Sequence, residues 1–190
     1  SYSFETHSYA SFEAITVTVK LPGTKLTALN VYRPPDTSRS SQPFATFLSE
    51  FQSTLAAIAT LPHHFIITGD FNIHVDDPSH SHTKQFLTLL SSMNLTQHVT
   101  FPTHELNHTL DLIITASDSS LNPYVSCSPL SPSDYLPIFT SLNLESPPQH
   151  LLQLSAPSAA LPPSTSPTLS LTSHTPKSLK KTLPHHSKTL

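Results

Sequence analysis

Apolar and polar residues alternate along the chain from Phe12 to Leu21, with Ile15, Val17, Val19 and Leu21 set against Thr16, Thr18 and Lys20. A period of two is that of a half-buried strand, here over 14–21. The turn residues Pro22, Gly23, Thr24 and Lys25 separate it from a second strand pattern over 26–32, which predicts a hairpin. Pro34 and Pro35 end that strand. The period then changes. Phe44, Phe47, Leu48, Phe51, Leu55 and Ile58 recur at helical spacing, with Pro43 in the first turn and Pro62 as the stop. A short apolar run, Phe65 to Thr68, predicts a buried strand over 64–69 that breaks at Gly69. A second, shorter helix follows over 82–95, with Phe86, Leu87, Leu89, Leu90 and Met93 on its apolar side. Further strands are predicted at 110–115 and 136–142. The order strand, helix, strand places the chain in the α/β class.

The composition changes after residue 144. Prolines at 147, 148, 157, 162, 163, 167, 176 and 184 interrupt any helix or sheet, and Ser and Thr fill the gaps between them. Residues 145–190 are expected to form a tail without a fixed fold. Residues 1–11 form a flank, and 12–144 form one domain, within the size that a single core supports. The net charge of −3 divides unevenly. Residues 1–144 hold five Lys/Arg against eleven Asp/Glu, and the tail holds four Lys against one Glu. The domain is therefore no basic nucleic-acid patch, although carboxylates that hold a divalent cation invert the local electrostatics. A single cysteine, Cys127, excludes an internal disulfide. No apolar run approaches the roughly 20 residues of a membrane span, and the first residues lack the basic start and apolar core of a signal peptide. The chain starts on Ser1, without a methionine, as a fragment does.

The candidate chemistry sits where apolar runs end. The segment 67–77 reads ITGDFNIHVDD, so a buried strand delivers Asp70 and Asn72 to a loop. Strand ends are where α/β proteins hold polar groups. Asp70 can accept a proton from a water, and Asn72 can donate to a phosphate oxygen. A plain turn reads equally well there, because Gly, Asp and Asn are common turn residues. Tyr32 and Arg33 close the second strand, and Tyr32 alone reads as a core or rim aromatic. Asp111 lies between Leu110 and Leu112 in an apolar run, so it needs a partner if buried. Asp134 follows Ser133 in a loop, where a cap or turn is an equal reading.

Four pieces, LTALNVYRPP, FIITGDFNIHVDDP, LTQHVTFPTHELNHTLDLIIT and SPLSPSDYLPIF, occur in this order. Together they resemble the endonuclease/exonuclease/phosphatase superfamily, and within it the apurinic-type endonuclease domain of non-LTR (LINE-type) retrotransposon polyproteins. The resemblance covers residues 12–144. It implies a four-layered α/β sandwich that cleaves phosphodiester bonds in DNA with Mg²⁺ or Mn²⁺. By resemblance, Asp70 orients and deprotonates the attacking water, Asn72 holds the phosphate, and Tyr32 contacts the phosphate or the leaving group. Asp134 helps to bind the metal, and Asp111 orients the catalytic histidine. The chain departs from the family pattern at that histidine: the family motif is Ser-Asp-His, and here Tyr135 follows Ser133 and Asp134. Tyrosine has a pKa near ~10 and one hydroxyl, so it cannot do what an imidazole does. The family also places an asparagine and a metal-binding glutamate well upstream of the tyrosine strand, whereas 31 residues precede Tyr32. Glu5 in FETH stands too close to the hairpin to take that place. The resemblance therefore implies a truncated and degenerate retrotransposon endonuclease domain without activity. The alternatives are a residually active Mg²⁺-dependent DNA endonuclease and a non-catalytic binding remnant. A working retroelement protein of this kind is nuclear.

Overall fold

The computed structural model describes residues 1–37, 42–128 and 136–144, and the backbone of 168–173. The elements in chain order are β1 (Tyr2–Ser8), β2 (Glu13–Leu21), β3 (Thr24–Tyr32), α1 (Phe44–Ala59), β4 (His64–Asp70), α2 (Ser81–Ser92), β5 (Leu95–Gln97), β6 (Asp111–Ala116), β7 (Tyr124–Cys127), β8 (Ile138–Asn143) and β9 (Thr168–Ser173). They build a six-stranded sheet in the order β1-β2-β3-β4-β6-β5 and a three-stranded sheet in the order β7-β8-β9. The class is α/β, as the alternation of strand and helix patterns implies.

The period of two in the strands divides the core into two layers. Leu29 and Val31 on β3, Ile67 on β4, and Leu112 and Ile114 on β6 pack with Phe47, Phe51 and Phe86 of the two helices. Their neighbours, Leu26, Ile66 and Ile113, point the other way and pack with Ile138 and Leu142 of the second sheet. Successive side chains of a strand face opposite sides, so a strand buried on both faces reads as a continuous apolar run. That is why 65–67 and 112–114 show no alternation. Helices, six-stranded sheet and three-stranded sheet make three of the four layers of an endonuclease/exonuclease/phosphatase sandwich. Among the described residues no helix covers the outer side of the second sheet.

The hairpin β2–β3 and the parallel pairing of β3 with β4 follow the sequence pattern, with Leu26 opposite His64 and Tyr32 opposite Asp70. Four strands go beyond it: β5, which pairs with β6 and begins where the second helix is expected to end, β7, which pairs with β8, and β1 and β9. β1 lies in the N-terminal flank and pairs along its whole length with β2. Its large side chains, Tyr2 and Phe4, are 74% and 66% exposed, so backbone pairing and not burial defines it. β9 lies in the tail, where no fixed element is expected, and pairs antiparallel with β8. The tail's prolines leave an alternating stretch, Thr168 to Ser173, free of them, which is enough for one edge strand. The rest of the tail lies outside the described residues.

Gly69 fixes how closely β3 and β4 approach. Its φ is +136°, and a Cβ there would lie 1.9 Å from the Val31 carbonyl oxygen and 2.7 Å from the Val31 nitrogen. Both obstacles are backbone in the middle of the sheet and cannot swing aside. Gly69→Ala should therefore lower stability by about 2–4 kcal/mol. Urea unfolding checks this, and an unchanged midpoint would contradict it.

Candidate functional site

Three neighbouring strands bring their polar ends to one edge. β3 and β4 run parallel, so Tyr32 and Asp70 both close their strands at the same edge, directly opposite each other. β6 runs antiparallel to β4, so its first residue, Asp111, lies opposite Asp70. All three residues occupy the face that looks toward the second sheet. On that face β3 reads Leu26, Ala28, Asn30, Tyr32 and β4 reads Ile66, Thr68, Asp70, apolar at one end and polar at the other. The Asn30 amide donates to the Thr68 hydroxyl at 3.1 Å, which carries the polar row toward the edge.

Asp70 and Asp111 are 2% and 6% exposed. Burial, then the facing Asp111 charge, raise the pKa of Asp70 to about 7. Hydrogen bonds from the Asn72 backbone and side chain and the charge of Arg33 oppose that shift without cancelling it. Burial, then Asp70 and Glu13, raise Tyr32 above the ordinary tyrosine value, so its hydroxyl stays protonated. The Asn72 backbone N–H donates to Asp70 Oδ1 at 3.0 Å. Asn72 sits at φ +48°, a left-handed conformation that asparagine tolerates. Its side-chain Nδ2 donates to the Arg33 carbonyl at 2.7 Å.

Arg33, which the sequence places with Tyr32 at the end of its strand, takes a structural part. It is buried, its guanidinium donates to the Asn72 carbonyl at 3.1 Å, and it pairs with Asp36. The same group lies 5.2 Å from the ring centres of both Phe44 and Phe47. Arg33 thus pins the loop after β4 onto α1 and is no surface cation. Thr103 plays the matching part at Asp111. Its Oγ1 accepts from the backbone N–H of Leu110 at 3.0 Å and of Asp111 at 3.1 Å. Tyr32, Asp70, Asn72 and Asp111 are therefore brought together. Asp134 and Tyr135 lie outside the described residues.

A second cluster, which the sequence reading passes over, lies on the same two loops. His74, Asp76 and His108 each offer a ligand atom, and these atoms all lie within 4.8 Å of one another. Asp76 accepts from the Thr109 backbone N–H at 2.8 Å and pairs with His108 Nδ1 at 3.0 Å. Burial raises the Asp76 carboxyl, but the hydrogen bonds from Thr109 and His108 outweigh it and hold the pKa below the ordinary value. Burial, then His108, lower the pKa of His74. The cluster could chelate a metal ion. Its sequence signal was the nearness of a His-x-Asp and a histidine to the two acidic strand ends.

A family model described as endonuclease-reverse transcriptase matches residues 26–139. The chain belongs to this family, and through it to the endonuclease/exonuclease/phosphatase superfamily. Among solved structures, an endonuclease/exonuclease/phosphatase family protein from Leptotrichia buccalis matches with a TM-score of 0.52 at 10% identity. That match covers 76% of this chain and 61% of the other, so the chain spans about three fifths of that protein. The 3′ phosphatase NExo from Neisseria, solved bound to a product DNA hairpin, matches with a TM-score of 0.46 at 15% identity, covering 76% of this chain and 79% of that one. A mannosyl-6-phosphatase from Bacteroides thetaiotaomicron matches with a TM-score of 0.45 at 16% identity over 68% of this chain and 57% of that one. At these identities the likeness concerns the fold. No curated protein matches the chain. Among the described residues no helix is long and apolar enough to cross a membrane.

The raised pKa of Asp70 has a consequence for stability. An unfolded aspartate titrates near ~3.9, well below the folded value. The folded state therefore keeps a proton on Asp70 over a range where the unfolded state has lost it. The resulting stabilisation is fully present below about pH 4 and is lost as pH rises through about 7. Three units at about 1.4 kcal/mol each give roughly 4 kcal/mol. Asp70→Asn removes the titration, so its stability relative to the unsubstituted chain should rise by up to that amount between pH 4 and 8. Urea midpoints measured at several pH values test this. A difference that stays flat with pH would show that Asp70 is not held neutral.

Proposed function

We propose that the chain is part of a metal-dependent phosphodiesterase that acts on DNA, of the kind found in non-LTR retrotransposon polyproteins, and that it retains slow activity. The observation that carries this is the meeting of Tyr32, Asp70 and Asp111 on three adjacent strands, with Asn72 hydrogen-bonded to Asp70. In this reading Asp70 orients a water and accepts its proton. Tyr32 keeps its proton and donates a hydrogen bond to a phosphate or leaving-group oxygen. Asn72 would hold the phosphate by turning its amide away from the Arg33 carbonyl. Both carboxylates are hard oxygen donors, buried side by side, and such a pair fits Mg²⁺ or Mn²⁺ better than it fits two bare charges. By resemblance Asp134 completes that donor set. The bound ion supplies charge neutralisation at the phosphoryl group.

Tyr135 supports a second reading, an inactive remnant. Asp111 would orient a histidine in the family, and a tyrosine offers no second ring nitrogen to pass the contact on. The two readings separate in a nicking assay on supercoiled plasmid and on an abasic-site duplex, with Mg²⁺ or Mn²⁺. We expect slow, metal-dependent nicking that falls at least ~100-fold in Asp70→Asn and rises roughly 10–100-fold in Tyr135→His. No cleavage by either the unsubstituted chain or Tyr135→His, each shown folded by circular dichroism, would end the catalytic reading and leave the remnant.

A further inference from the structure

We propose that His74, Asp76 and His108 bind a borderline divalent transition cation of the Zn²⁺ class, at a site separate from the acidic pair of Asp70 and Asp111. The donor set is two imidazoles and one carboxylate, with ligand atoms within 4.8 Å of one another. Zn²⁺ binds nitrogen and oxygen at about 2.0–2.2 Å, so donors around one ion lie roughly 3–4 Å apart, and small side-chain rotations close the difference. Imidazole suits zinc, copper, nickel and iron, whereas Mg²⁺ and Ca²⁺ take all-oxygen sites. Three protein donors leave one position of a tetrahedral ion for solvent.

The backbone around the cluster is already arranged. The Val75 N–H donates to the Thr109 carbonyl at 3.4 Å, which ties the loop after β4 to the loop before β6. The Thr83 hydroxyl of α2 donates to the His74 carbonyl at 2.9 Å, which fixes where that residue leaves the loop. One oxygen of Asp76 is held by the Thr109 N–H, so the other is left aimed at His108. The rings of His74 and His108 stand edge to face with centres 4.1 Å apart. The bare cluster is a His–Asp pair with a second imidazole beside it. A cation would replace the proton between Asp76 and His108 and recruit His74 as third ligand. It would then clamp the loop that carries Asn72 to the loop that leads into Asp111. The site stands on its own donors and is tested without nuclease activity.

The test is calorimetric titration of the full chain, stripped with chelator and dialysed, with ZnCl₂ and in parallel with MgCl₂. One Zn²⁺ per chain at micromolar affinity or tighter is expected at this cluster, with a rise in Tm, while any heat with Mg²⁺ belongs to the acidic pair and is unchanged in the three variants below. His74→Ala, Asp76→Asn and His108→Ala should each weaken Zn²⁺ binding at least ~10-fold. His7→Ala, on β1 and away from the cluster, should not. Because loop substitutions can disturb folding, a second measurement uses the unsubstituted chain. Zn²⁺ should protect His74 and His108 from diethyl pyrocarbonate, read by mass spectrometry of the digested chain. Zn²⁺ binding that is unchanged in all three variants, or protection at other histidines without these two, would overturn the proposal, as would the absence of binding.

Discussion

The contact of Gly69 with the Val31 backbone is the constraint on which the site depends. It lets β3 and β4 lie side by side up to their last residues, so that Tyr32 and Asp70 end level with each other. From there the chain must leave the sheet at once, and the left-handed turn at Asn72 does that. Arg33 then locks the exit. A buried guanidinium against two aromatic rings, bonded to the Asn72 carbonyl and to Asp36, is costly to move because its charge has no water to fall back on. The loop is thus held by the strand pairing beneath it and by a buried cation beside it.

The same architecture places two carboxylates where neither is comfortable. Opposite residues of an antiparallel pair have close Cβ atoms, and like charges there destabilise the sheet. The fold answers by keeping Asp70 neutral through much of the acid range, and by giving Asp111 a backbone anchored on Thr103. Packing alone would favour an apolar residue at either position, as it does at Ile66 and Ile113 further along the same face. An acidic pair retained at a cost in stability is the kind of local conflict that marks a site where chemistry, and not folding, sets the residue.

How far the sequence could show this follows from what each feature depends on. The hairpin, both helices and the central strands rest on periodicity within a short window, and they are legible. Asp70, Asn72, Tyr32 and Asp111 are legible as strand-end polar groups because apolar runs point at them. β1 and β9 are not, because they are edge strands held by backbone pairing with a partner chosen elsewhere in the chain. Arg33 reads as one more polar residue at a strand end. Only the rings of Phe44 and Phe47 show that it faces inward. His108 is more than thirty positions from His74 and Asp76, and it is the pairing of β4 with β6 that joins their loops. Asp134 and Tyr135, which the resemblance makes decisive, lie outside the described residues.

Charge sets the terms on which any polyanion could approach. The domain carries eleven acidic against five basic residues, so its long-range field repels DNA. At short range Arg33 stands beside Asp70, but it is buried and engaged with Asn72, Asp36 and two rings. A phosphate entering the site would therefore meet two carboxylates and a neutral tyrosine. On the proposed reading its charge compensation comes from a bound divalent ion. That ion would also relieve the repulsion between Asp70 and Asp111. On the proposed reading, metal and substrate are then coupled: each removes the electrostatic obstacle to the other. DNA binding without the ion should be weak, and with few phosphates neutralised it should depend little on salt.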